Sequence, residues 1–140
     1  MKFLATSVLA ILPAILAAPT SSIITRTIQP AAEEGLAKRA DYSVYLCNDR
    51  DWKGYCAHIT APASVCVPLA SDLNDKVSSA GPDPGAFCYF FVNPGCDTNG
   101  DFFHVGNPGV ADLSKTPVNG PAGSTRNFED KLSSYFCVGA

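Results

Sequence analysis

The sequence has few of the residues that catalysis requires. Its 140 residues include only two histidines, and only 16% of all residues are charged. Neither His58 nor His104 lies in a recognisable catalytic motif, and no Gly-x-Ser-x-Gly or His-Glu-x-x-His motif occurs. A packed or surface role is expected for both histidines. We therefore predict that the chain is not an enzyme.

Positive charge is scarce beyond the N-terminal segments. Residues 40–140 carry six Lys and Arg side chains against ten Asp and one Glu, which gives a net charge of −5. Nucleic acids and anionic membranes require a basic stripe, and these scattered cations do not form one. No nucleic-acid or membrane partner is expected, whereas acidic loops suit a metal cation.

Only one long apolar run occurs, and it lies at the N-terminus. Lys2 precedes an apolar stretch over residues 3–18, which is typical of a secretory signal peptide and too short for a comfortable membrane span. The small and polar residues that follow end at Lys38-Arg39, the kind of pair after which kexin-type processing proteases cut. The predicted parts are a signal peptide (1–18), a propeptide (19–39) and a secreted, extracellular domain (40–140).

All six cysteines lie in the predicted domain, and none is left over. Their spacings do not fit a zinc site, which requires close pairs such as Cys-x2-Cys. An even set in an oxidising compartment predicts three disulfides, with the pairing left open. The predicted disulfide cysteines are Cys47, Cys56, Cys66, Cys88, Cys96 and Cys137.

Short β-favouring runs alternate with Gly, Pro, Asn and Asp throughout the domain. Eleven Pro and eleven Gly in the chain leave little room for helices, so an all-β sandwich is predicted. Asn99-Gly100 is predicted to form a tight hairpin turn with positive φ at both residues. The predicted strand runs are 42–47, 54–60, 65–68, 87–92, 101–105, 110–113 and 134–138.

An eight-residue pattern occurs twice. Residues 72–79 read Asp-Leu-Asn-Asp-Lys-Val-Ser-Ser, and residues 127–134 read Asn-Phe-Glu-Asp-Lys-Leu-Ser-Ser, 55 positions later. Polar and apolar classes agree at every position, which indicates one structural unit used twice. The two four-stranded units are predicted to pack face to face, because neither could bury its apolar side alone.

Each copy of the pattern offers oxygen ligands of the kind that calcium takes. Calcium sites combine roughly six to eight carboxylate, carbonyl, hydroxyl and water oxygens, which is more than one copy supplies. The two copies are therefore predicted to share the ions. The predicted metal ligands are Asn74, Asp75, Lys76 (through its carbonyl), Ser78, Glu129, Asp130, Lys131 (through its carbonyl) and Ser133.

The repeated pattern Asn/Asp-Asn/Asp-x-x-Ser/Thr-Ser resembles the calcium-binding motif of the βγ-crystallin superfamily. The first copy matches at every position, whereas Glu129 stands where Asn or Asp is usual. The chain is most similar to the small, cysteine-rich βγ-crystallin-like proteins that fungi secrete. The resemblance implies a disulfide-stapled sandwich of two Greek keys, with calcium at the end where the two motifs meet.

The first hairpin also resembles a crystallin corner, which has an aromatic-x-Gly pattern. Trp52 and Gly54 match that pattern, and Cys47 stands where an aromatic residue is common in the family. In the second unit, Cys96 falls at the aromatic position and Thr98 at the glycine position.

Three roles are compatible with the resemblance. The first is a non-enzymatic calcium-binding protein that acts as an extracellular effector or toxin-like molecule on an unknown extracellular protein or cell-surface partner. The second is a secreted protease inhibitor, with a loop such as 115–125 as bait. The third is a structural extracellular protein without metal, in which Ser78 and Ser133 only cap hairpin amides. The sequence does not indicate the oligomeric state.

Overall fold

The computed structural model describes residues 23–29, 40–118, 121 and 123–140. Over this part the chain consists of strands, turns and two short 3-10 segments, Arg50–Trp52 and Leu113–Lys115. The predicted signal peptide and the Lys38-Arg39 pair lie outside the described residues. No helix in these ranges is long and apolar enough to cross a membrane.

The strands confirm the all-β prediction. In chain order they are β1 (Ile23–Thr27), β2 (Asp41–Asp49), β3 (Lys53–Pro62), β4 (Val67–Pro68), β5 (Ser79–Pro82), β6 (Ala86–Phe91), β7 (Phe102–Gly106), β8 (Thr116–Pro117), β9 (Thr125–Arg126) and β10 (Ser134–Gly139).

Two four-stranded sheets form a sandwich. Their strand orders are β1-β3-β2-β5 and β4-β10-β6-β7, and β8 pairs with β9 in a separate hairpin. In each of the two sequence units, one element pairs with the sheet that the other unit mainly forms. In the first unit this element is β4, which pairs with β10, and in the second it is Val110, which bridges to Ala80 in β5. This exchange confirms the predicted sandwich of two Greek keys.

The core lies between the inner faces of the two sheets. Val44, Leu46 and Ile59 point inward from the first sheet, and Phe90 and Tyr135 from the second, all with at most 2% of their surface exposed. The alternation of buried and partly exposed residues along β2 and β6 follows the two-residue period of a strand. Each of the aliphatic and phenylalanine side chains in this set contributes about 1.5 to 3 kcal/mol through burial.

The predicted disulfide framework is confirmed, and the structure supplies its pairing. Two bridges join residues that lie directly opposite each other on neighbouring strands, Cys47 to Cys56 between β2 and β3 and Cys88 to Cys137 between β6 and β10. The third bridge, Cys66–Cys96, links the two units.

Some local predictions are wrong. Strand β5 was not predicted because Ala, Gly and Pro have low β propensity, yet all four of its residues are buried against β2. Only Val110 of the run 110–113 pairs as a strand residue. Neither Asn99 nor Gly100 has positive φ, and Thr98 and Asn99 are the central residues of the turn.

Candidate metal site where two loops cross

The two copies of the repeated pattern cross at one place in the fold. We call residues 74–78 loop A and residues 129–133 loop B. The amide of Asp75 in loop A donates to the carbonyl of Leu132 in loop B at 3.0 Å. In return, the amide of Asp130 donates to the carbonyl of Val77, also at 3.0 Å. The repeated sequence pattern therefore corresponds to a reciprocal contact in the structure.

Apolar residues at both ends of each loop hold this crossing in place. Leu73 and Val77 flank the polar part of loop A, Phe128 and Leu132 flank that of loop B, and all four are fully buried. The chain must turn sharply between these anchors, and Asp75 and Asp130 do so with φ of 59° and 60°. Aspartate is one of the few residues with a side chain that tolerates this region.

The crossing brings the acid of each loop close to the serine of the other. Asp75 bonds to the residue before Ser133, and Asp130 bonds to the residue before Ser78. The two serines are 4% and 8% exposed, whereas both aspartates are exposed. The backbone amides of the serines are fixed in equivalent ways, Ser78 to the carbonyl of Cys47 and Ser133 to that of Phe91.

The carbonyl groups predicted as ligands are available. In the described residues, the carbonyl oxygens of Lys76 and Lys131 accept no hydrogen bond from the protein. The same holds for the hydroxyls of Ser78 and Ser133 within that part of the chain. The two crossing loops thus carry carboxylate, carbonyl and hydroxyl oxygens, which is the mixture that suits calcium.

Acidic side chains alone do not make this site. Over the described ranges, no three His, Cys, Asp or Glu side chains converge in a way that could hold a metal ion. Any calcium bound here would depend on backbone carbonyls, hydroxyls and water as much as on Asp75 and Asp130.

Glu129 breaks the equivalence of the two loops. Its Oε1 accepts hydrogen bonds from Arg50 Nε at 2.9 Å and Arg50 Nη2 at 2.7 Å. Asp112 Oδ1 lies 3.2 Å from the same guanidinium, and these acidic neighbours raise the pKa of Arg50 further above its usual value. At the matching position of loop A, Asn74 Nδ2 only donates to Asp75 Oδ2, at 3.3 Å. A fixed positive charge therefore stands next to loop B.

The capping role considered for Ser78 and Ser133 belongs to the serines that follow them. Ser79 Oγ donates to the Asp49 carbonyl at 2.8 Å and accepts from the Trp52 amide at 3.2 Å. Ser134 Oγ does the same with the Asn93 carbonyl, at 2.6 Å, and the Cys96 amide, at 2.9 Å. Ser78 and Ser133 therefore do not cap the hairpin amides.

The second corner differs from its sequence-based interpretation. The matching contacts of Trp52 and Cys96 bear out their equivalence. The glycine position, however, is taken by Gly100 and not by Thr98. A Cβ on Gly54 would meet the Asp49 side chain at 2.4 Å, and a Cβ on Gly100 would meet the Asn93 side chain at the same distance. The second hairpin is longer, which hid this equivalence in the sequence.

The Cys47–Cys56 bridge replaces an aromatic pair. Cys47 lies opposite Ser79 in β5, and Phe91 lies opposite Ser134 in β10, so the two positions correspond. Where Cys47 is bonded to Cys56, Phe91 stacks on Phe102 with ring centroids 5.4 Å apart. The aromatic position that the resemblance implies is thus occupied by a disulfide in the first unit.

The two histidines lie on strands, away from the loops. His58 Nε2 is 2.8 Å from Asp83 Oδ2, and the His104 ring packs 5.3 Å from those of Phe87 and Tyr89. Both positions agree with the packed or surface role expected for them, and the absence of enzymatic activity stays a prediction.

Comparison with known proteins gives matches at the level of structure. No protein-family model and no curated protein matches the sequence. A βγ-crystallin domain from work on the evolution of the eye-lens fold superposes with a TM-score of 0.54 at 22% identity, covering 76% of this chain and 95% of that one. A βγ-crystallin from Ciona intestinalis gives a TM-score of 0.48 at 19% identity over 67% and 96% of the two chains. The domain of the Abundant Perithecial Protein of Neurospora crassa, solved in its Ca2+-bound form, gives 0.45 at 15% identity over 76% and 96%.

Proposed function

Because the chain has the fold of βγ-crystallin domains, we propose that it is a secreted, non-enzymatic calcium-binding protein whose ions bind between loop A and loop B. The observation that carries the proposal is the reciprocal pair of hydrogen bonds from Asp75 to Leu132 and from Asp130 to Val77. They bring together oxygen donors that neither loop supplies in sufficient number alone.

The pseudo-symmetry of the crossing favours two sites. One would use Asp75 and the Lys76 carbonyl with Ser133 from the opposite loop, and the other would use Asp130 and the Lys131 carbonyl with Ser78. Asn74 and Glu129 would offer a side-chain oxygen to the first and second site, respectively. Water would complete each coordination sphere, because the exposed aspartates leave both sites open to solvent.

The expected effect of calcium is to stabilise the fold. An ion that binds only the native state adds about 2.7 kcal/mol to the free energy of unfolding when its free concentration is 100 times Kd. Extracellular modules with Kd on the order of 10⁻⁴ to 10⁻³ M are filled by the calcium around them, so a permanent structural ion fits better than a sensing one.

Calorimetric titration of chelator-treated protein tests this function. Wild type should take up two calcium ions per chain, whereas Ser78→Ala and Ser133→Ala should each lose one and the double variant should lose both. Ser71→Ala is the matched control, because Ser71 is exposed and lies outside both loops. Equal binding by the double variant and the control, or no heat at several millimolar calcium, would remove the calcium function.

The extracellular location is part of the same proposal. Three disulfides suit an oxidising compartment, and the N-terminal apolar run suits export. Secretion from a eukaryotic host followed by mass spectrometry should give a mature chain that begins at Ala40. A mature chain that still carries residues 19–39 would overturn the processing step while leaving the calcium sites untouched.

We further propose an interaction or effector role, with an extracellular protein or a cell surface as the partner. The protease-inhibitor alternative makes a different prediction, because an inhibitor slows its target at near-stoichiometric amounts. Assays with secreted serine, cysteine and aspartic proteases separate the two roles. An effect on cell growth without protease inhibition is the result expected for the effector.

A further inference from the structure

A strand from the predicted propeptide is part of the first sheet. Strand β1 pairs in parallel with β3, from Ile23 opposite Cys56 to Thr27 opposite Thr60. The amide of Ile28 then continues the pairing with a 2.6 Å hydrogen bond to the Thr60 carbonyl. Nothing in the sequence of residues 19–39 predicted this strand.

Strand β1 is an addition to the two-unit fold. In the second sheet, β7 corresponds to β3, and it pairs only with β6 among the described residues. The exchange of β4 and Val110 between the sheets is complete without β1. Without β1, the outer edge of β3 would expose a row of unpaired amides and carbonyls, which is a template for another strand.

A charged contact anchors β1 to the first unit. The guanidinium of Arg26 donates to Asp72 Oδ2 and, at 3.3 Å, to the hydroxyl of Tyr55, which itself donates to Asp72 Oδ2. The side chains of Arg26 and Asp72 are each only 29% exposed, so this pair is better shielded from water than an ordinary surface ion pair.

Two side-chain oxygens beside this contact accept no hydrogen bond within the described part of the chain. Asp72 Oδ1 and Asn48 Oδ1 are buried and have no hydrogen-bond partner among the described residues. Asn48 Nδ2 also donates to the backbone carbonyl of Asp72 at 3.3 Å, which places the Asn48 side chain beside residue 72. A guanidinium carries five donors, and unpaired carboxylate and amide oxygens in this position suit its recognition.

Beyond its pairing with β3 and the Arg26 contact, the docked strand makes few apolar contacts with the domain. Ile23 and Ile24 are 52% and 37% exposed, and only Ile28 packs against the core. While the chain is continuous, the tether holds β1 at an effective concentration on the order of millimolar. After a cut the same short strand would have to bind from dilute solution.

We propose that the outer edge of β3, together with Asp72, Tyr55 and Asn48, is a binding site for an extended, arginine-bearing peptide, and that β1 masks this site until the propeptide is cut off. The proposal rests on the cleavage after Lys38-Arg39 proposed above. In that step a secretory protease hydrolyses the Arg39–Ala40 bond, and water supplies the second carboxylate oxygen of Arg39 and the two protons that turn the amide nitrogen of Ala40 into an ammonium group. Release of β1 then leaves an open strand edge with an acidic side chain at its rim.

The test compares cut and uncut forms of the same protein. Lys38-Arg39 is the only pair of adjacent basic residues in the chain, so a dibasic-specific protease cuts once, and Lys38→Ala with Arg39→Ala gives an uncut control. The probe is a fluorescent peptide of residues 19–39, measured by anisotropy against the cut, gel-filtered domain and against the uncut control. Hydrogen exchange of the β3 amides reports the state of the edge independently of the probe.

The expected results are specific. Cutting should release the propeptide on gel filtration and speed exchange along β3. The probe should bind the cut domain but not the uncut control, and Arg26→Gln in the probe or Asp72→Asn in the domain should weaken binding at least about tenfold, the loss expected for a charge-assisted contact. An arginine-free peptide of scrambled order is the negative control for the probe.

Four outcomes would overturn the proposal. Two concern the cut domain: co-elution of the propeptide with it, and no binding of the probe to it at millimolar concentration. The other two are equal binding of the probe to cut and uncut protein, and unaltered binding of the Arg26→Gln probe. Mass spectrometry of the secreted chain reports separately whether the cut occurs in the cell, so failure of the processing step and failure of the binding site are distinguishable.

Discussion

Ser79 and Ser134 hold the two hairpins of the fold with the same pair of hydrogen bonds. Each hydroxyl donates to the carbonyl of the residue that begins the hairpin bend and accepts from an amide three residues later, namely Asp49 and Trp52 for Ser79, and Asn93 and Cys96 for Ser134. The serine before each of them makes no such bonds. The Ser-Ser pair that ends each copy of the repeated pattern therefore divides into a structural residue and a candidate metal ligand.

This division predicts that alanine substitutions at the two neighbouring serines change the free energy of unfolding by different amounts. Ser79→Ala or Ser134→Ala removes both bonds from a fully buried hydroxyl and should lower the free energy of unfolding by about 1 to 3 kcal/mol without calcium. Ser78→Ala and Ser133→Ala should change it by less than about 0.5 kcal/mol under the same conditions. Urea denaturation in chelator measures all four, and equal losses for the two kinds of serine would contradict the division of roles.

A side chain at Gly109 should destabilise the fold, because Gly109 precedes Val110, the residue of the second unit that bridges to the first sheet. Gly109 has φ of 96°, and a Cβ there would lie 2.3 Å from the Ala80 carbonyl oxygen and 2.4 Å from the Gly81 Cα. Gly85 has a similar φ of 91° and nothing within 4 Å, so Gly85→Ala is a matched control for backbone strain. Gly109→Ala should cost about 1 to 3 kcal/mol more than the control in urea denaturation. Equal losses of unfolding free energy for Gly109→Ala and Gly85→Ala would show that the chain beside the Val110–Ala80 bridge is not tightly packed.

Acid should weaken the docking of β1 through Asp72. Burial alone would raise the pKa of this carboxyl, but hydrogen bonds from Tyr55 and Arg26 outweigh it and hold the pKa below the ordinary value of 3.8. Because the folded pKa is the lower one, the stabilisation is complete above the unfolded value and is lost as pH falls through the folded value.

In the uncut Lys38→Ala, Arg39→Ala chain, the contribution of this contact to the melting temperature should therefore be constant between pH 7 and pH 5. Below pH 3.8 the melting temperature should fall more steeply than that of the same chain with Asp72→Asn. Asp101→Asn, which removes the exposed ion pair with Arg126, is the control. If the melting temperatures of the Asp72→Asn chain and its parent fell in parallel with pH, the contact between Arg26 and Asp72 would not stabilise the docked strand.

Arg50 should reduce the calcium affinity of the loop B site. Its guanidinium holds Glu129 Oε1 and brings a positive charge to the place where the cation would enter. Arg50→Gln should release Glu129 and strengthen binding at one of the two sites by a few-fold in low salt, with a smaller gain at high salt. Lys53→Gln, an exposed cation in the hairpin outside both loops, should leave both affinities unchanged. Equal effects of the two variants would mean that Arg50 acts only through net charge.

The sequence reveals the two loops of the candidate site more directly than it reveals the individual strands around them. The repeat of residues 72–79 at 127–134 is visible because both loops need the same buried anchors and the same sharp turn at an aspartate. That the two copies meet was predicted from the number of oxygen ligands that calcium takes, whereas the hydrogen bonds that join them were not, because the crossing connects residues far apart in the chain. Gly100 was assigned wrongly since a longer hairpin shifts it relative to Gly54, and only the contacts with Asn93 and Asp49 reveal the match.

Four strands, β1, β5, β8 and β9, were not predicted, and β5 and β1 were missed for different physical reasons. Ser79–Pro82 has the composition of a turn, and its strand conformation is imposed by burial between β2 and Val110. Ile23–Thr27 lies in a segment without enough apolar residues to fold alone, and it becomes a strand because β3 offers an edge and Asp72 offers a charge. Both are cases in which tertiary contacts decide local structure.

The most direct test of the calcium proposal is a calcium titration followed by amide chemical shifts in an NMR spectrum of the chelator-treated protein. The crossing predicts that the largest shifts fall on loop A and loop B together, including the amides of Asp75 and Asp130, and that they saturate at two ions per chain. Shifts confined to one loop, shifts at a distant surface, or an unchanged spectrum at several millimolar calcium would contradict a metal site shared by the two loops.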